Sequence, residues 1–196
     1  MIFIIKFIII LFLKAIAKMP SPGECKIERT LNLPFLLVLD QIRDPGNMGT
    51  IIRTAAAVGC DKILITKGCV DIWDPKVIRS AMGAHFRIPI LNNLSYEQIL
   101  SYLPIDTKIL FADNNKSLDR KITDYSDLHE IKPHATLIIG NETLGISTKI
   151  NSLIASLIKD RIFVNIPLEN GVESLNASIA FSILSYEIRK QLLLKK

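Results

Sequence analysis

Short runs of apolar residues alternate along this chain with stretches that have the spacing of helices, and this alternation restricts the possible folds most strongly. Continuous apolar runs bounded by polar turns are typical of strands that are buried on both faces. The predicted strands are 35–39, 62–66, 87–91, 108–112, 136–139 and 162–166. The predicted helices are 49–58, 75–82, 95–102, 147–158 and one that begins near residue 176. This order predicts an α/β domain with a mostly parallel sheet and helices on both faces.

The size and composition of the chain favour one folded domain. At 196 residues, with 49% hydrophobic and 22% charged residues, the chain can bury one substantial core. We expect residues 1–30 to form an apolar and basic N-terminal extension with a polar linker over 21–29, and residues 31–196 to form the domain.

The net charge of +5 suggests an anionic partner, but the positive charge is concentrated at the two ends. Of 24 basic and 19 acidic residues, residues 1–30 hold five and two, and residues 189–196 hold four and none. The middle of the chain is therefore slightly acidic. Charge alone does not establish RNA binding, although a basic terminal helix would suit contact with phosphates.

The cysteines and histidines predict no disulfide framework and no metal site. The three cysteines, Cys25, Cys60 and Cys69, are odd in number and scattered, which favours a reducing compartment. The three histidines lack the spacing to cysteine that a zinc site requires.

The N-terminal run 2–13 is strongly apolar but is interrupted by Lys6 and is shorter than the ~20 residues that span a bilayer. We therefore expect no stable membrane insertion. A secretory signal is disfavoured by the unpaired cysteines, and a mitochondrial presequence by the absence of Arg and Ser from the run. A truncated or wrongly assigned start fits at least as well, so residues 1–18 are excluded from the fold prediction.

Three polar loops follow predicted strands, and in an open parallel sheet ligands bind beyond the carboxyl ends of the strands. The first loop contains the turn Asp44-Pro-Gly-Asn47, with Arg53 on the helix that follows. In the second, Gly140-Asn-Glu-Thr-Leu-Gly145, glycines let backbone amides approach a ligand and Glu142 adds a carboxylate. The third begins at Pro167, which ends a strand, and reaches Ser174 and Asn176 at the start of the last helix. Taken singly, each loop is an ordinary turn or helix cap.

Together and in this order, the loops resemble the three motifs of the SpoU class of SPOUT RNA methyltransferases. The matching residues are Asp44-Pro-Gly-Asn47 with Arg53, Gly140-Asn-Glu142 with Gly145, and Ile166-Pro167 with Ser174-Leu-Asn176. The resemblance covers about residues 35–190. Residues 67–71 and 82–90 further resemble the mitochondrial members that methylate large-subunit ribosomal RNA.

This resemblance implies a knotted α/β fold with a C-terminal trefoil knot, S-adenosylmethionine bound bent in the knot, a homodimer, and methylation of a ribose 2′-hydroxyl of RNA. The implied cofactor-binding residues are Gly140, Asn141, Glu142, Gly145, Ile166, Pro167, Ser174 and Leu175. The implied catalytic residues are Asn47, Arg53, Glu142, Ser174 and Asn176. No metal is implied.

Methyl transfer to a ribose requires alignment of the hydroxyl and removal of its proton. The resemblance assigns the activating role to Arg53, but a guanidinium stays protonated in proteins and does not act as a base. Our hypothesis is that Arg53 pairs with an RNA phosphate and stabilises the developing oxyanion while Glu142 orients it. Asn47, Ser174 and Asn176 would fix the nucleotide and the cofactor.

The preferred prediction is a ribosomal RNA 2′-O-methyltransferase of mitochondria, and two alternatives stay open. The motifs describe chemistry rather than RNA shape, so transfer RNA is an alternative substrate. An inactive RNA-binding factor of ribosome assembly is the other alternative, because relatives often have an N-terminal RNA-binding domain and only about thirty residues precede the first predicted strand here. A bacterial cytoplasm or another organelle is the alternative location.

Overall fold

The fold is organised around one sheet of parallel strands. The computed structural model describes residues 30–113, 122–129, 131, 134–141 and 143–194, together with the backbone of 3–6 and 14–17. Near the N-terminus, β1 (Phe3–Lys6) and β2 (Lys14–Ala17) pair antiparallel with each other. The sheet contains β3 (Phe35–Leu39), β4 (Lys62–Thr66), β5 (Ile90–Leu94), β6 (Lys108–Ala112), β7 (Ile122–Asp124), β8 (Ala135–Ile139) and β9 (Arg161–Asn165).

Helices cover both faces of this sheet, as predicted. They are α1 (Pro45–Val58), α2 (Pro75–Ala81), α3 (Tyr96–Tyr102), α4 (Thr148–Leu157) and α5 (Ala177–Leu194). Because side chains alternate along a strand, Leu37 packs into the core beneath α1, α2 and α5, whereas its neighbour Val38 packs beneath α3 and α4. No helix in the described part of the chain is both long enough and apolar enough to cross a membrane.

The strand order brings the predicted loops to one edge of the sheet. The order is β5-β4-β3-β8-β6-β9-β7, and every pairing within this sheet is parallel. Consequently β8 lies between β3 and β6, with β9 next, and the loops that leave β3, β8 and β9 emerge side by side. The C-terminal knot stays a prediction from the family resemblance.

Helix α1 begins four residues earlier than predicted. The Asp44 carboxylate accepts the backbone N–H of Asn47 at 2.7 Å, and Pro45 occupies the first helical turn. A proline is favoured there because its missing N–H has no partner within the helix. The turn Asp44-Pro-Gly-Asn47 is therefore the cap and first turn of α1 rather than a loop before it.

Two further boundaries differ from the prediction, at β5 and after β6. The strand predicted over 87–91 lies at 90–94, since a 3₁₀ turn occupies Ala84–Phe86 and Pro89 has no N–H to give to the ladder. The stretch 113–133, predicted to be irregular, contributes the short edge strand β7 where it is described. The predicted linker over 21–29 lies outside the described residues.

Replacement of Gly49 tests how closely α1 and α2 pack. A Cβ atom built at Gly49 would lie 2.5 Å from the Val77 carbonyl oxygen and 1.8 Å from Ser80 Oγ. We expect Gly49→Ala to lower the free energy of unfolding by about 1–3 kcal/mol, although alanine favours helix, because the Val77 backbone must move. Urea denaturation measures this, with Thr50→Ala on the same helix as control. A stability equal to or above that of the wild type would contradict the packing.

Candidate functional site

A cavity opens at the carboxyl ends of β6, β8 and β9. It is a half-open cleft with a cavity volume of about 120 Å³. The lining comes from the ends of β6, β8 and β9, from the loops that follow them and from the first turns of α5: Ala112, Asp113, Ile139, Gly140, Asn141, Gly145, Val164, Ile166, Leu168, Ser174, Leu175, Ala177, Ala180 and Leu184. The wall thus contains glycine backbone, apolar side chains and a few polar groups.

The loop after β8 folds into a tight hairpin that forms one wall of the cavity. The Asn141 N–H donates to the Gly145 carbonyl at 3.1 Å, and the Gly145 N–H donates to the Asn141 carbonyl at 2.8 Å. A Cβ atom at Gly140 would lie 2.4 Å from the Gly145 carbonyl oxygen and 2.5 Å from the Ile146 nitrogen. Real Cβ contacts are essentially never this short, so only glycine fits at residue 140.

The Asn141 side chain holds this loop in shape. Its Oδ1 accepts the backbone N–H groups of Thr143 at 2.9 Å and Leu144 at 3.1 Å, and its Nδ2 donates to the Gln41 carbonyl at 3.2 Å. Asn141 therefore lines the cavity, as expected of a predicted cofactor-binding residue, while its amide is used within the protein. The loop after β8 is thereby tied to the loop after β3.

A buried carboxylate, that of Asp40, anchors the end of the loop between β8 and α4. Asp40, at the end of β3, is fully buried and accepts the Ser147 N–H at 2.8 Å, the Thr66 hydroxyl at 3.2 Å and the Tyr96 hydroxyl at 3.1 Å. The Ser147 hydroxyl in turn donates to the Tyr96 oxygen at 2.9 Å. Charge-assisted hydrogen bonds of this kind are strong when buried, so the network fixes the start of α4 relative to β3 and β4.

The starts of α1 and α5 meet beside the cavity. Asn176 Nδ2 donates to Asn47 Oδ1 at 2.7 Å, which joins residues 129 positions apart. The Asn176 Oδ1 atom accepts the Ser178 N–H at 2.9 Å and the Ile179 N–H at 3.4 Å, so Asn176 also caps α5. This contact brings the first and third predicted motifs together.

We expect Asn176→Ala to lower the free energy of unfolding by about 1–3 kcal/mol, because it removes the α5 cap and the bond to Asn47. A double-mutant cycle with Asn47→Ala, read from urea denaturation, isolates the bond between the two amides. A coupling energy near zero would show that the contact does not join the helices.

Of the remaining predicted residues, the structure brings Ser174 to the cavity but not Pro167 or Arg53. Ser174 is exposed and lines the cavity, whereas Pro167 is exposed and is not part of the lining. Arg53 is exposed on α1 and makes no ion pair with any acidic residue that the structure describes. Glu142 lies outside the described residues.

The sequence prediction missed Asp113, which lines the cavity. Its place directly after an apolar strand is the signal that would have identified it.

The arrangement defines a class of protein: a parallel α/β domain with a cavity at the carboxyl edge of its sheet, bounded by a glycine hairpin and by the bonded starts of two helices, α1 capped by Asp44 and α5 capped by Asn176. Residues 34–186 match the model of the SpoU rRNA methylase family, and the chain belongs to this family. The family predicted from the three loops is thereby confirmed.

Two relatives and one solved structure show the extent of the similarity. The chain is 41% identical to human "rRNA methyltransferase 3, mitochondrial" over 82% of its length. It is 34% identical over 79% of its length to "23S rRNA (guanosine(2553)-2'-O)-methyltransferase RlmP" of Bacillus subtilis, of which the match covers 57%. The match covers 48% of the human protein, so the chain spans about half the length of that relative.

The solved structure is that of the SpoU methyltransferase AviRb from Streptomyces viridochromogenes in complex with AdoMet. The two folds superpose with a TM-score of 0.74 at 26% sequence identity, over 92% of this chain and 65% of that one.

Proposed function

We propose that the chain is an S-adenosylmethionine-dependent ribose 2′-O-methyltransferase that acts on mitochondrial large-subunit ribosomal RNA. The observation that carries this proposal is the glycine-walled cavity beside the bonded pair Asn47 and Asn176. The names of the two relatives supply the substrate and the reaction: one is called a mitochondrial rRNA methyltransferase and the other a 2′-O-methyltransferase of 23S rRNA.

S-adenosylmethionine, which AviRb binds, is the ligand that we place in this cavity. The missing side chain of Gly140 lets the hairpin close against Gly145 and Ile146, so that the backbone of Gly140 and Gly145 lines the cavity, and Ile166 and Leu175 provide apolar contact for an adenine ring. We assign cofactor binding to Gly140, Asn141, Gly145, Ile166, Ser174 and Leu175, and retain Glu142 and Pro167 from the sequence prediction. The bound cofactor supplies a methyl group on a positively charged sulfur, which is transferred to a nucleophile in line with the bond that breaks.

The chain's own residues must hold the ribose and stabilise the charge that develops on its 2′-oxygen. Arg53 is exposed and not paired with any described acidic residue, so its guanidinium is available to an RNA phosphate and to this oxygen. Asn47 and Asn176 position each other at 2.7 Å, which places neutral donors and acceptors beside the cavity. Ser174, at the cavity wall, completes the proposed catalytic set with Glu142.

A second copy of the chain would complete the assembly. Helix α5 exposes Ile179 (50%), Tyr186 (53%) and Leu193 (37%), which are spaced by seven residues and therefore lie along one side of the helix. An apolar stripe of this kind suits a symmetric contact between two copies. We therefore propose that two copies form a homodimer through α5. Sedimentation of the Tyr186→Asp variant as a monomer would support this contact.

We further propose that residues 31–196 form the methyltransferase domain and that the protein is located in mitochondria.

The substrate is tested by offering both classes of RNA. The purified full chain is incubated with methyl-labelled S-adenosylmethionine and either ribosomal or transfer RNA from mitochondria that lack the protein. We expect label in the large-subunit ribosomal RNA alone. Label in the transfer RNA would show that transfer RNA, not ribosomal RNA, is the substrate. If a chain that binds the cofactor labels neither RNA, the result would support an assembly factor instead.

A further inference from the structure

One exposed face outside the cavity combines cations with large apolar side chains. On α2 and the 3₁₀ turn after it, Lys76, Arg79, Met82 and Phe86 are exposed at spacings of three, three and four residues, and the exposed Arg87 follows Phe86 directly. We call these five residues the α2 face. The sequence from 75 to 96 contains no Asp or Glu, and none of the three cations is in an ion pair with a described acidic residue.

The apolar members of the α2 face are held out into solvent. Met82 is 70% exposed and has a left-handed backbone with φ of 51°, which is uncommon for a residue other than glycine. Phe86 is 36% exposed, and its ring contacts the Trp73 ring in a tilted arrangement with a centroid distance of 6.1 Å. Met82 has this backbone because it ends α2 in the left-handed conformation common at helix C-termini.

The Phe86 ring has a rigid support. Trp73 stacks on the buried ring of His85 at 5.1 Å with an interplanar angle of 26°, and His85 Nε2 lies 2.7 Å from the Ile72 carbonyl oxygen. Burial lowers the pKa of His85, so its ring is neutral near pH 7 and stacks without a charge. Three rings thus form a small platform with Phe86 at its surface.

The α2 face is fixed to the helix that bears Asn47 and Arg53. The Ser80 hydroxyl lies 3.3 Å from the Pro45 carbonyl oxygen. Because residue 49 is glycine, the α2 backbone at Val77 packs directly against the backbone of α1. The 3₁₀ turn that contains Phe86 also packs against α1. A ligand on the α2 face therefore has a fixed position relative to the candidate catalytic helix.

We propose that the α2 face binds a single-stranded segment of the RNA substrate, with Phe86 and Met82 against a base and the three cations on phosphates. Proteins recognise unpaired RNA by stacking bases on aromatic rings beside cations that follow the backbone. The three cations make the charge of this face complementary to RNA, and the acidic residue that precedes them, Asp74, accepts the Lys76 N–H as the cap of α2. The inference deepens the proposed function, since it gives the substrate a docking surface beside the reaction site.

The test measures binding of a labelled twelve-nucleotide oligouridylate to the full chain by fluorescence anisotropy at several salt concentrations. We expect Phe86→Ala to weaken binding roughly tenfold without changing the salt dependence, as loss of one stacked base does. Phe86→Leu, which keeps apolar bulk and removes the ring, should also weaken binding. The triple variant Lys76→Ala, Arg79→Ala, Arg87→Ala should lower the slope of log K against log salt by about 2.

Matched controls lie away from the α2 face. Tyr102 on α3 is an aromatic of similar exposure, at 43%, and Lys159, after α4, is an exposed cation with no ion pair to a described acidic residue. Tyr102→Ala and Lys159→Ala should bind the oligonucleotide as the wild type does. The proposal is overturned if the α2-face variants also bind like the wild type, if the wild type does not bind, or if Phe86→Ala instead changes the mass in sedimentation, which would identify a protein contact.

The same samples separate this inference from the proposed function. If the wild type binds RNA through the α2 face but transfers no methyl group, the function fails and the inference stands. If the wild type methylates RNA and the α2-face variants keep its KM for RNA, the function stands and the inference fails.

Discussion

Arg53→Ala should reduce methyl transfer to RNA by roughly 10²–10³-fold while leaving the affinity for S-adenosylmethionine nearly unchanged. The guanidinium is exposed on α1, outside the cavity lining, so its removal takes no contact from the cofactor. In the proposed mechanism, this variant loses the positive charge that stabilises the developing oxyanion on the ribose. Single-turnover transfer and isothermal titration with the cofactor measure the two quantities on one protein sample.

Two further variants sharpen the Arg53 experiment. Arg53→Lys keeps the charge but loses the planar fork, so it should recover only part of the activity. Arg161, an exposed arginine at the start of β9 and therefore at the opposite edge of the sheet, provides the matched control. A large loss of cofactor binding in Arg53→Ala, or full activity, would contradict the assigned role.

Gly140→Ala should weaken S-adenosylmethionine binding by tenfold or more, since the added methyl group would overlap the Gly145 carbonyl at 2.4 Å. To relieve this overlap the hairpin must open, which breaks the paired bonds between Asn141 and Gly145 and moves the cavity wall. We expect a loss of folding stability of about 1–3 kcal/mol as well. Isothermal titration and urea denaturation report the two effects.

Gly83→Ala is the control that separates cavity geometry from general backbone strain. Gly83 has a left-handed backbone with φ of 79°, no atom lies within 4 Å of a Cβ built there, and it is remote from the cavity lining. This variant should lose some stability and keep the affinity for the cofactor. Equal cofactor affinities in the two variants would show that the hairpin is not part of the cofactor site.

The strands were predictable from sequence because each is a continuous apolar run that only a buried parallel sheet accommodates. The run 35–39 lies where predicted, and all five of its residues are buried. The start of α1 was misplaced because Asp44-Pro-Gly-Asn47 has the composition of a turn, whereas a capping carboxylate and a first-turn proline made it helical. Local chemistry of this kind favours a turn and a helix start equally in the sequence alone.

The candidate site was predictable as a set of loops but not as a set of contacts. The bond between Asn47 and Asn176 joins residues that no local pattern relates, and nothing in the sequence distinguishes the fully buried Asp40 from the other polar residues after β3. Both depend on strand order, which places β8 between β3 and β6 although it follows them in the chain. Asp113 directly follows a predicted strand, which is a local signal, but that this strand end reaches the cavity follows from β6 lying beside β8.

The central claim is that the chain transfers a methyl group to a ribose 2′-oxygen, and nucleoside analysis of the product tests it most directly. Large-subunit ribosomal RNA is incubated with methyl-labelled S-adenosylmethionine and the full chain, with Arg53→Ala as the inactive reference, and is then hydrolysed with alkali. A single alkali-resistant dinucleotide that contains the label, absent from the reference, is the predicted result, because a 2′-O-methyl group blocks cleavage at that ribose. Label recovered only on a base, or equal label with Arg53→Ala, would contradict the account.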